Sequence, residues 1–252
     1  MYEKNTTDKD WEFFAREDPY WAAITHDRFR KNNFDDFAKI DFFDSGEKYI
    51  DWVFQKIYLH FDKNYLPQKA LDFGCGVGRL ILPLARRVSF VVGVDVSEFM
   101  LEEAKKNINN NNINHISLVK SDDQLSKLIG KFDFINSFIV FQHIPIDRGY
   151  KILSSLIEHL EDGGIGVIHF TYSKSVVNLT KTKKLSITYF IRIAKKLFRV
   201  LTRRATPIMQ MNSYSLNLIF KILQEAGVHQ IYVDFTDHGG NYGTVLFFQK
   251  PA

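Results

Sequence analysis

The feature that most constrains this chain is a glycine-rich turn between an apolar strand-like run and a helix-like segment. Residues 69–74, KALDFG, are typical of an apolar strand that ends in glycine, and glycine then recurs at alternate positions, Gly74, Gly76 and Gly78. Glycine lets the backbone turn sharply and approach a ligand without a Cβ clash. The free N–H groups at the start of a following helix attract a negative group. The segment therefore predicts a strand, a ligand-binding turn and a helix from Gly78 to Arg87.

Two acidic residues accompany this turn. Asp72 lies just before the glycines, and a second predicted strand, FVVGVD (90–95), ends in Asp95. An acid at the end of the second strand of such a unit can accept two hydrogen bonds from ribose hydroxyls. The dinucleotide pattern G-x-G-x-x-G needs glycine at position 79, where this chain has Arg79. The motif therefore favours a ribose-containing ligand other than a dinucleotide.

Strand-like and helix-like segments alternate along the chain. A helix is predicted at about 46–62, a helix capped by Ser97 runs to about Asn109, and the Asn-rich stretch 107–114 is predicted as a loop. The remaining predicted elements are strands at 115–120, 132–138, 165–172, 231–235 and 244–249, helices at 147–160 and 213–226, and a turn at 162–164. This order predicts an α/β fold with a doubly wound, mostly parallel seven-stranded sheet and an antiparallel final strand.

The predicted domain organisation has two additions to this sheet. Residues 1–66 form an N-terminal helical cap, and residues 67–252 form the main domain with an insertion at about 174–212. In that insertion Arg192, Lys195, Lys196, Arg199 and Arg203 follow helical spacing on one face. The segment from 185 to 204 is therefore predicted to be a basic amphipathic helix, either a lid or a peripheral contact with an anionic membrane or another anionic partner.

Charge is distributed unevenly. Residues 163–224 hold 11 Lys and Arg and no Asp or Glu, which leaves 22 basic and 29 acidic residues elsewhere, a net charge of −7. A single basic module in an acidic protein indicates a local anionic contact and argues against a nucleic-acid-binding body.

Composition bounds the class of protein. The 45% hydrophobic and 25% charged residues exclude a mostly disordered chain, a collagen-like repeat and a disulfide scaffold. Cys75 is the only cysteine, so no internal disulfide forms and a reducing compartment is expected. The first residues carry no secretory signal and no apolar run is long enough to span a membrane. The expected location is the cytoplasm, with peripheral contact at the inner membrane surface as a further expectation.

The run DFGCGVGRL followed by VVGVDVSEFMLEEAKKN resembles class I S-adenosylmethionine-dependent methyltransferases. The resemblance covers about residues 66–172, and by topology 213–250. It implies a Rossmann-like fold, S-adenosylmethionine as methyl donor and S-adenosylhomocysteine as product. Its motifs are specific for the cofactor and do not identify the acceptor, which is expected to be a small molecule, a glycan or a lipid-linked intermediate.

The resemblance also implies roles for individual residues. The loop Gly74-Cys75-Gly76 packs against the methionine part and ribose, and Asp95 binds the ribose hydroxyls. The other implied cofactor contacts are Met100 at the adenine, Asp122 at the adenine amino group, Phe138 beside the methionine part and Asp72 facing the cofactor amine. Asp122 and Asp123 are alternatives for the adenine contact, and each has a second interpretation as a helix cap. Met100 has a second interpretation as a core residue. Cys75 is expected to be a small residue that fits the loop, not a nucleophile.

The acceptor side is predicted around Gln142-His143-Ile144-Pro145, which resembles a run in many small-molecule methyltransferases. His143 is the candidate general base or orienting group, with a loop-shaping hydrogen-bonding role as the alternative. An Asn-Pro-Pro-aromatic run is absent here, which argues against amino groups of DNA bases or glutamine as acceptors. The further acceptor-pocket candidates are Tyr20, Trp21, Gln142, His169, Tyr172 and His238, and their spacing does not support a metal site.

Two other functions remain open. A nicotinamide-dependent oxidoreductase shares this type of sheet, but Arg79 and the lack of a usable Tyr-x-x-x-Lys pair argue against it. A non-catalytic binding protein that retains the fold is disfavoured by the intact set of Asp72, Gly74, Gly76 and Asp95. No sequence pattern indicates the oligomeric state.

Overall fold

A computed structural model describes residues 6–175 and 207–252. Its sheet contains seven strands: β1 Lys69–Phe73, β2 Phe90–Asp95, β3 Ile116–Lys120, β4 Phe132–Ser137, β5 Leu160–Lys174, β6 Ile231–Asp237 and β7 Asn241–Gln249. Their order across the sheet is β3-β2-β1-β4-β5-β7-β6. Of these seven described strands, β7 runs in the direction opposite to the other six, so its pairings with β5 and β6 are antiparallel. The predicted fold class is confirmed, including the antiparallel final strand.

Helices cover both faces of the sheet. They are α1 Thr6–Glu17, α2 Pro19–Ala23, α3 Asp36–His60, α4 Ile81–Ala85, α5 Glu98–Asn110, α6 Ile146–Glu158 and α7 Leu216–Glu225, with short 3-10 turns at Asp27–Phe29 and Phe141–His143. One apolar core lies between the sheet and α6 and α7, with Leu153 and Ile219 fully buried. The other lies under α3 and α4, around Ile50 and Ile81. The sheet is therefore doubly wound, as the strand-helix alternation predicts.

Several element boundaries differ from the sequence predictions. Helix α3 begins ten residues before the predicted start, because the Asp35 side chain accepts the Ala38 N–H at 2.8 Å and caps it. Helix α4 is shorter than predicted, because Gly78 has a φ of +89° and cannot begin an α-helix. The predicted turn at 162–164 lies inside β5, whose pairing with β4 shifts register there.

The N-terminal helices form a third apolar cluster. Phe42 of α3 is fully buried in it, together with Met100 of α5. Because α3 also supplies Ile50 to the core beneath the sheet, the segment 1–66 shares its packing with the main domain. The division into a cap and a methyltransferase domain stays a prediction.

Helix α3 crosses the glycine-rich turn at very short range. A Cβ on Gly46 would collide with the carbonyl oxygen of Arg79, so only glycine permits this approach. The Arg79 guanidinium in turn donates to the Ser45 hydroxyl at 3.2 Å. This contact fixes α3 against the turn that precedes α4.

None of the helices in the described part of the chain combines the length and the hydropathy of a membrane span. The predicted basic helix, with Arg192, Lys195, Lys196, Arg199 and Arg203, lies outside the described residues.

Candidate active site

The glycine-rich turn lies at the carboxyl ends of β1 and β2. Gly74 N–H and Cys75 N–H both donate to the Val94 carbonyl, at 2.8 and 3.0 Å. Gly74, Gly76 and Gly78 all have positive φ, which L side chains rarely adopt. A Cβ on Gly74 would also clash with Val140, which follows β4. The glycines are therefore required by the backbone path as well as by close approach to a ligand.

Asp95 ties the turn to the second strand. Its Oδ2 accepts the Gly76 N–H at 2.9 Å and its Oδ1 accepts the Ser97 N–H at 2.9 Å. Burial raises the pKa of the Asp95 carboxyl to about 6, although these backbone hydrogen bonds oppose the shift. Each oxygen therefore accepts at least one bond from the backbone.

Asp72 is buried, and in the part of the chain that the structure describes one of its two carboxylate oxygens lacks a hydrogen bond. Its Oδ1 accepts the Asn136 side-chain amide at 2.7 Å, whereas its buried Oδ2 has no hydrogen-bond partner among the described residues. Burial raises the pKa of this carboxyl to about 6, and the Arg79 guanidinium partly offsets the rise. A buried carboxylate oxygen without a partner indicates a cationic or N–H-bearing ligand at this point.

A cavity with about 1090 Å³ of empty space, partly open to solvent, lies in front of these two carboxylates. All predicted cofactor residues line it: Asp72, Gly74, Cys75, Gly76, Asp95, Met100, Asp122 and Phe138. His143 also lines it. The structure therefore brings the predicted cofactor set and the predicted acceptor-side histidine to one cavity. Burial raises the pKa of the Cys75 thiol well above its usual range, which argues further against a nucleophilic role.

One end of the cavity is formed by the residues after β3. Asp122 Oδ1 accepts the backbone N–H groups of Gln124 and Ser126 at 3.1 and 2.9 Å, so its carboxylate already caps this turn. Asp123 instead pairs with Arg148, at 2.6 Å. Which of the two contacts an adenine stays a prediction.

His143 lies on the other side of the cavity, with both ring nitrogens engaged. Nδ1 is 2.7 Å from the Gln210 carbonyl and therefore carries the proton, which leaves Nε2 to accept from the Gln142 amide at 3.1 Å. Burial lowers the pKa of the ring to about 4, so His143 is neutral at pH 7. These contacts match the loop-shaping alternative, because a general base would need Gln142 to release Nε2.

The predicted acceptor residues separate into two groups. Tyr20 and Trp21 do not reach the cavity: Tyr20 stacks on Phe34 with ring centroids 4.1 Å apart, and Trp21 lies against the Arg30 guanidinium at 3.6 Å. These contacts fit the alternative in which this helix only covers the edge of the sheet, and a role of the two rings at the acceptor stays a prediction. The α2 residues that do line the cavity are Ala22 and Ala23.

Of the other predicted acceptor residues, His169 and His238 pack against Phe138. The His169 ring is 5.4 Å from Phe138 and 5.3 Å from His238, centroid to centroid. Gln142 accepts from the buried Thr171 hydroxyl at 2.8 Å, while Tyr172 lies farther out against Phe235. None of these four predicted residues lines the cavity itself.

Several residues that the sequence patterns missed complete the site. Helix α1 closes one side of the cavity with Thr7, Asp8 and Trp11. Arg148 of α6 lies at the same place and pairs with Asp8 at 3.0 Å. No local motif marks these residues, because they meet only through tertiary packing; the one available signal was the aromatic and acidic composition of residues 8–17.

Comparison with known proteins gives a consistent result. Residues 70–164 match a family described as a methyltransferase domain. The magnesium-protoporphyrin O-methyltransferase of Synechocystis PCC 6803 is 27% identical over 176 residues, which is 65% of this chain and 73% of that protein. The crystal structure of the Synechocystis magnesium protoporphyrin IX methyltransferase with bound S-adenosylmethionine aligns with a TM-score of 0.61 and 20% identity, covering 99% of this chain and 100% of that one.

A second sequence relative is the ubiquinone biosynthesis O-methyltransferase of Rickettsia akari, 25% identical over 134 residues and 52% of this chain. The match spans about half of that relative's length, 49%. The family match at residues 70–164 includes the glycine-rich turn and strands β2, β3 and β4.

Proposed function

We propose that the chain is a class I S-adenosylmethionine-dependent methyltransferase and that it transfers the methyl group of S-adenosylmethionine to a small-molecule acceptor. The observation that carries this proposal is the unpaired, buried Oδ2 of Asp72 at the wall of the cavity. The methionine part of the cofactor bears an ammonium group, which would supply the missing hydrogen bond and the compensating charge. The glycines of the turn leave room for the same part of the molecule, since no atom lies within 4 Å of a Cβ placed on Gly76.

The ribose and the adenine of the cofactor are assigned to residues that line the same cavity as Asp72. Asp95 lines the cavity, and its carboxylate oxygens can accept hydrogen bonds from the ribose hydroxyls. Met100 is 2% exposed and offers an apolar contact to the adenine ring. Asp122 or Asp123 lies at the far end, where the adenine amino group needs an acceptor.

The bound cofactor would supply a methyl group activated by a positively charged sulfur. The chain's own contribution is to hold this group opposite the acceptor and to keep water away. Phe138 provides an apolar wall, and Trp11 closes the cavity from outside. His143 is neutral and so places no positive charge beside the sulfonium.

A small-molecule acceptor is supported by the names of two of the relatives. One relative is named for magnesium-protoporphyrin and another for ubiquinone biosynthesis, both small molecules. A glycan or lipid-linked acceptor uses the same cofactor geometry and is an alternative outcome of an acceptor screen.

We also propose that the segment 185–204 provides any contact with an anionic surface.

Calorimetric titration of the purified chain tests the function directly. S-adenosylmethionine and S-adenosylhomocysteine are expected to bind and NAD is not. Asp72→Asn removes the charge at the proposed ammonium contact and weakens both cofactor forms. Asp237→Asn is the matched control, because Asp237 is an exposed carboxylate that accepts the Gly240 N–H in a hairpin turn and does not line the cavity. Binding of NAD with no binding of S-adenosylmethionine would favour the oxidoreductase instead.

A further inference from the structure

Ile139 has a backbone conformation that branched side chains rarely adopt. Its φ is +61°, in the left-handed region, where a residue branched at Cβ is strained. Two other described residues besides glycines have positive φ, Asn112 and Leu125. Asn112 follows helix α5, where asparagine often takes this conformation, and Leu125 is buried in the core. Of these three residues, Ile139 is the one that is branched at Cβ and lines the cavity.

The neighbours of Ile139 explain the path of the chain but not the choice of isoleucine. Phe138 packs on the apolar core under α3 and α4, and Val140 packs on the core between the sheet and α6 and α7. Directly after β4, the chain therefore crosses from one face of the sheet to the other. Glycine or asparagine at position 139 would allow the same crossing without the strain.

The Ile139 side chain is directed to the cavity and not to a core. Among the described residues it belongs to none of the three apolar clusters, it is only partly buried, and it lines the cavity. Packing within the folded chain therefore does not account for an apolar side chain at this position. A strained backbone that presents a side chain to a ligand cavity is typical of a functional contact.

Ile139 lies at the junction of the cofactor side and the acceptor side of the cavity. On the cofactor side, a Cβ on Gly74 would lie 2.3 Å from the Val140 side chain, so this segment rests on the glycine-rich turn. On the acceptor side, the Val140 carbonyl accepts the His143 N–H at 2.9 Å, so the same segment leads directly into the loop that carries His143.

We propose that Ile139 is a specificity-determining residue whose side chain packs against the sulfur end of the bound cofactor and leaves room there for a methyl group but not for a larger alkyl group. This inference rests on the proposed methyltransferase function. A side chain branched at Cβ has few rotamers, so it forms a wall that yields little to an additional methylene. The strain at Ile139 is tolerated because this wall selects the group on the sulfur.

The test compares two cofactor forms by calorimetric titration of the full chain. S-adenosylmethionine carries a methyl group on sulfur, and S-adenosylethionine carries an ethyl group at the same place. An additional methylene in a restricted apolar pocket is discriminated by about tenfold or more, so the wild type should bind S-adenosylethionine about tenfold more weakly. Ile139→Gly removes the wall, and the ratio of the two affinities should fall to about twofold or less.

The melting temperature of the free protein tests the strain separately. Glycine adopts positive φ without a Cβ clash, so Ile139→Gly should unfold at the wild-type temperature or up to about 4 °C higher. Ile139→Asn also tolerates this backbone region. It covers the case in which the greater freedom of glycine in the unfolded chain offsets the gain in stability.

Two control variants separate the side chain from the backbone. Ile139→Val keeps a branched apolar side chain and should keep the wild-type affinity ratio. Asn112→Gly replaces another residue with positive φ, one that is exposed and does not line the cavity, and should change neither affinity.

Equal binding of the two cofactor forms by the wild type, or an unchanged affinity ratio in Ile139→Gly, would overturn the role of Ile139. Melting temperatures of Ile139→Gly and Ile139→Asn that both lie well below the wild-type value would make Ile139 a packing residue and would also overturn it. If neither S-adenosylmethionine nor S-adenosylhomocysteine binds the wild type, it is the proposed function that fails.

Discussion

Trp11 of α1 lies edge-on to His143, with the ring centroids 4.9 Å apart and the ring planes at 65°. An N-terminal residue thus contacts the loop that follows the fourth strand, across the cavity. His143 is held by Trp11, by Gln142 and by the Gln210 carbonyl. We infer from these contacts that His143 is a positioning residue that shapes the loop after β4.

We expect His143→Ala to lower turnover more than it lowers affinity for S-adenosylhomocysteine. The ring's contacts are all on the acceptor side, and displacement of a reacting group by about 1 Å can cost about 100-fold in rate. Stability should also fall, by about 1–3 kcal/mol, because buried partners lose their hydrogen bonds. Calorimetry, thermal unfolding and turnover with a hydroxyl acceptor measure the three effects. A collapse of cofactor affinity with normal residual turnover would contradict this placement.

Cofactor affinity should rise with pH through about 6. The Asp72 carboxyl has its pKa raised to about 6 by burial, so it is largely protonated at pH 5 and ionised at pH 7.5. An ammonium group binds the ionised form, so binding releases a proton below the pKa and affinity falls by up to about tenfold for each pH unit lost. Titration in buffers of different ionisation enthalpy measures this proton release.

Asp72→Asn should make this pH dependence shallower, and part of it should remain because Asp95 titrates in the same range. The pKa of Asp95 is also raised to about 6, again by burial. If the double variant Asp72→Asn, Asp95→Asn loses the remaining pH dependence of the cofactor affinity, Asp95 is the second titrating group. Affinity that falls as pH rises from 5 to 7 would contradict the ammonium contact.

Asp95→Ala should lose most of the affinity for S-adenosylhomocysteine while the fold survives. Hydrogen bonds to a charged group contribute roughly 1.5–3 kcal/mol, which corresponds to about a 10- to 150-fold weaker complex. The chain offers a matched control in Asp62, an exposed carboxylate that accepts the N–H two residues later, as Asp95 does. Asp62→Ala should bind normally, and equal binding by both variants would remove the ribose role.

Asp8→Asn should speed both binding and release of S-adenosylhomocysteine. Arg148 joins Asp8 of α1 to Asp123 beside the cavity, so this ion pair helps to hold α1 closed. Loss of one partly exposed pair contributing roughly 0.5–1 kcal/mol should raise both rates about two- to fivefold. Stopped-flow tryptophan fluorescence follows the exchange, with Asp41→Asn as control for an ion pair on the surface. Unchanged rates would show that α1 does not limit exchange.

The basic insertion should bind anionic vesicles in a salt-sensitive manner. Five Lys and Arg between Arg192 and Arg203 follow helical spacing, and 163–224 contains no Asp or Glu to neutralise them. Each cation near an anionic membrane contributes about 1 kcal/mol. Co-sedimentation with anionic and neutral vesicles at low and high salt measures the effect. Negligible pelleting in all four conditions would favour the lid.

The cofactor side was predictable because its chemistry is local in the sequence. Gly74, Gly76 and Asp95 fall within one strand-turn-helix-strand unit, so spacing alone places them together. The outer wall was not predictable, since Trp11 and His143 are 132 residues apart and meet only through packing. The contacts of Tyr20 were not predictable for a related reason: its hydroxyl finds partners in Glu103 and Asn107, which no pattern near Tyr20 reveals.

The contact between Gly46 and Arg79 limits how this protein can change in evolution or by design. The backbone of α3 rests directly on the turn that cradles the proposed cofactor, with no side chain between them. Exchange of the N-terminal segment for that of another methyltransferase would therefore succeed only if the donor segment also brought a glycine, in register, to this crossing. Variation in acceptor preference is easier to accommodate at α1, whose residues Thr7, Asp8 and Trp11 border the cavity.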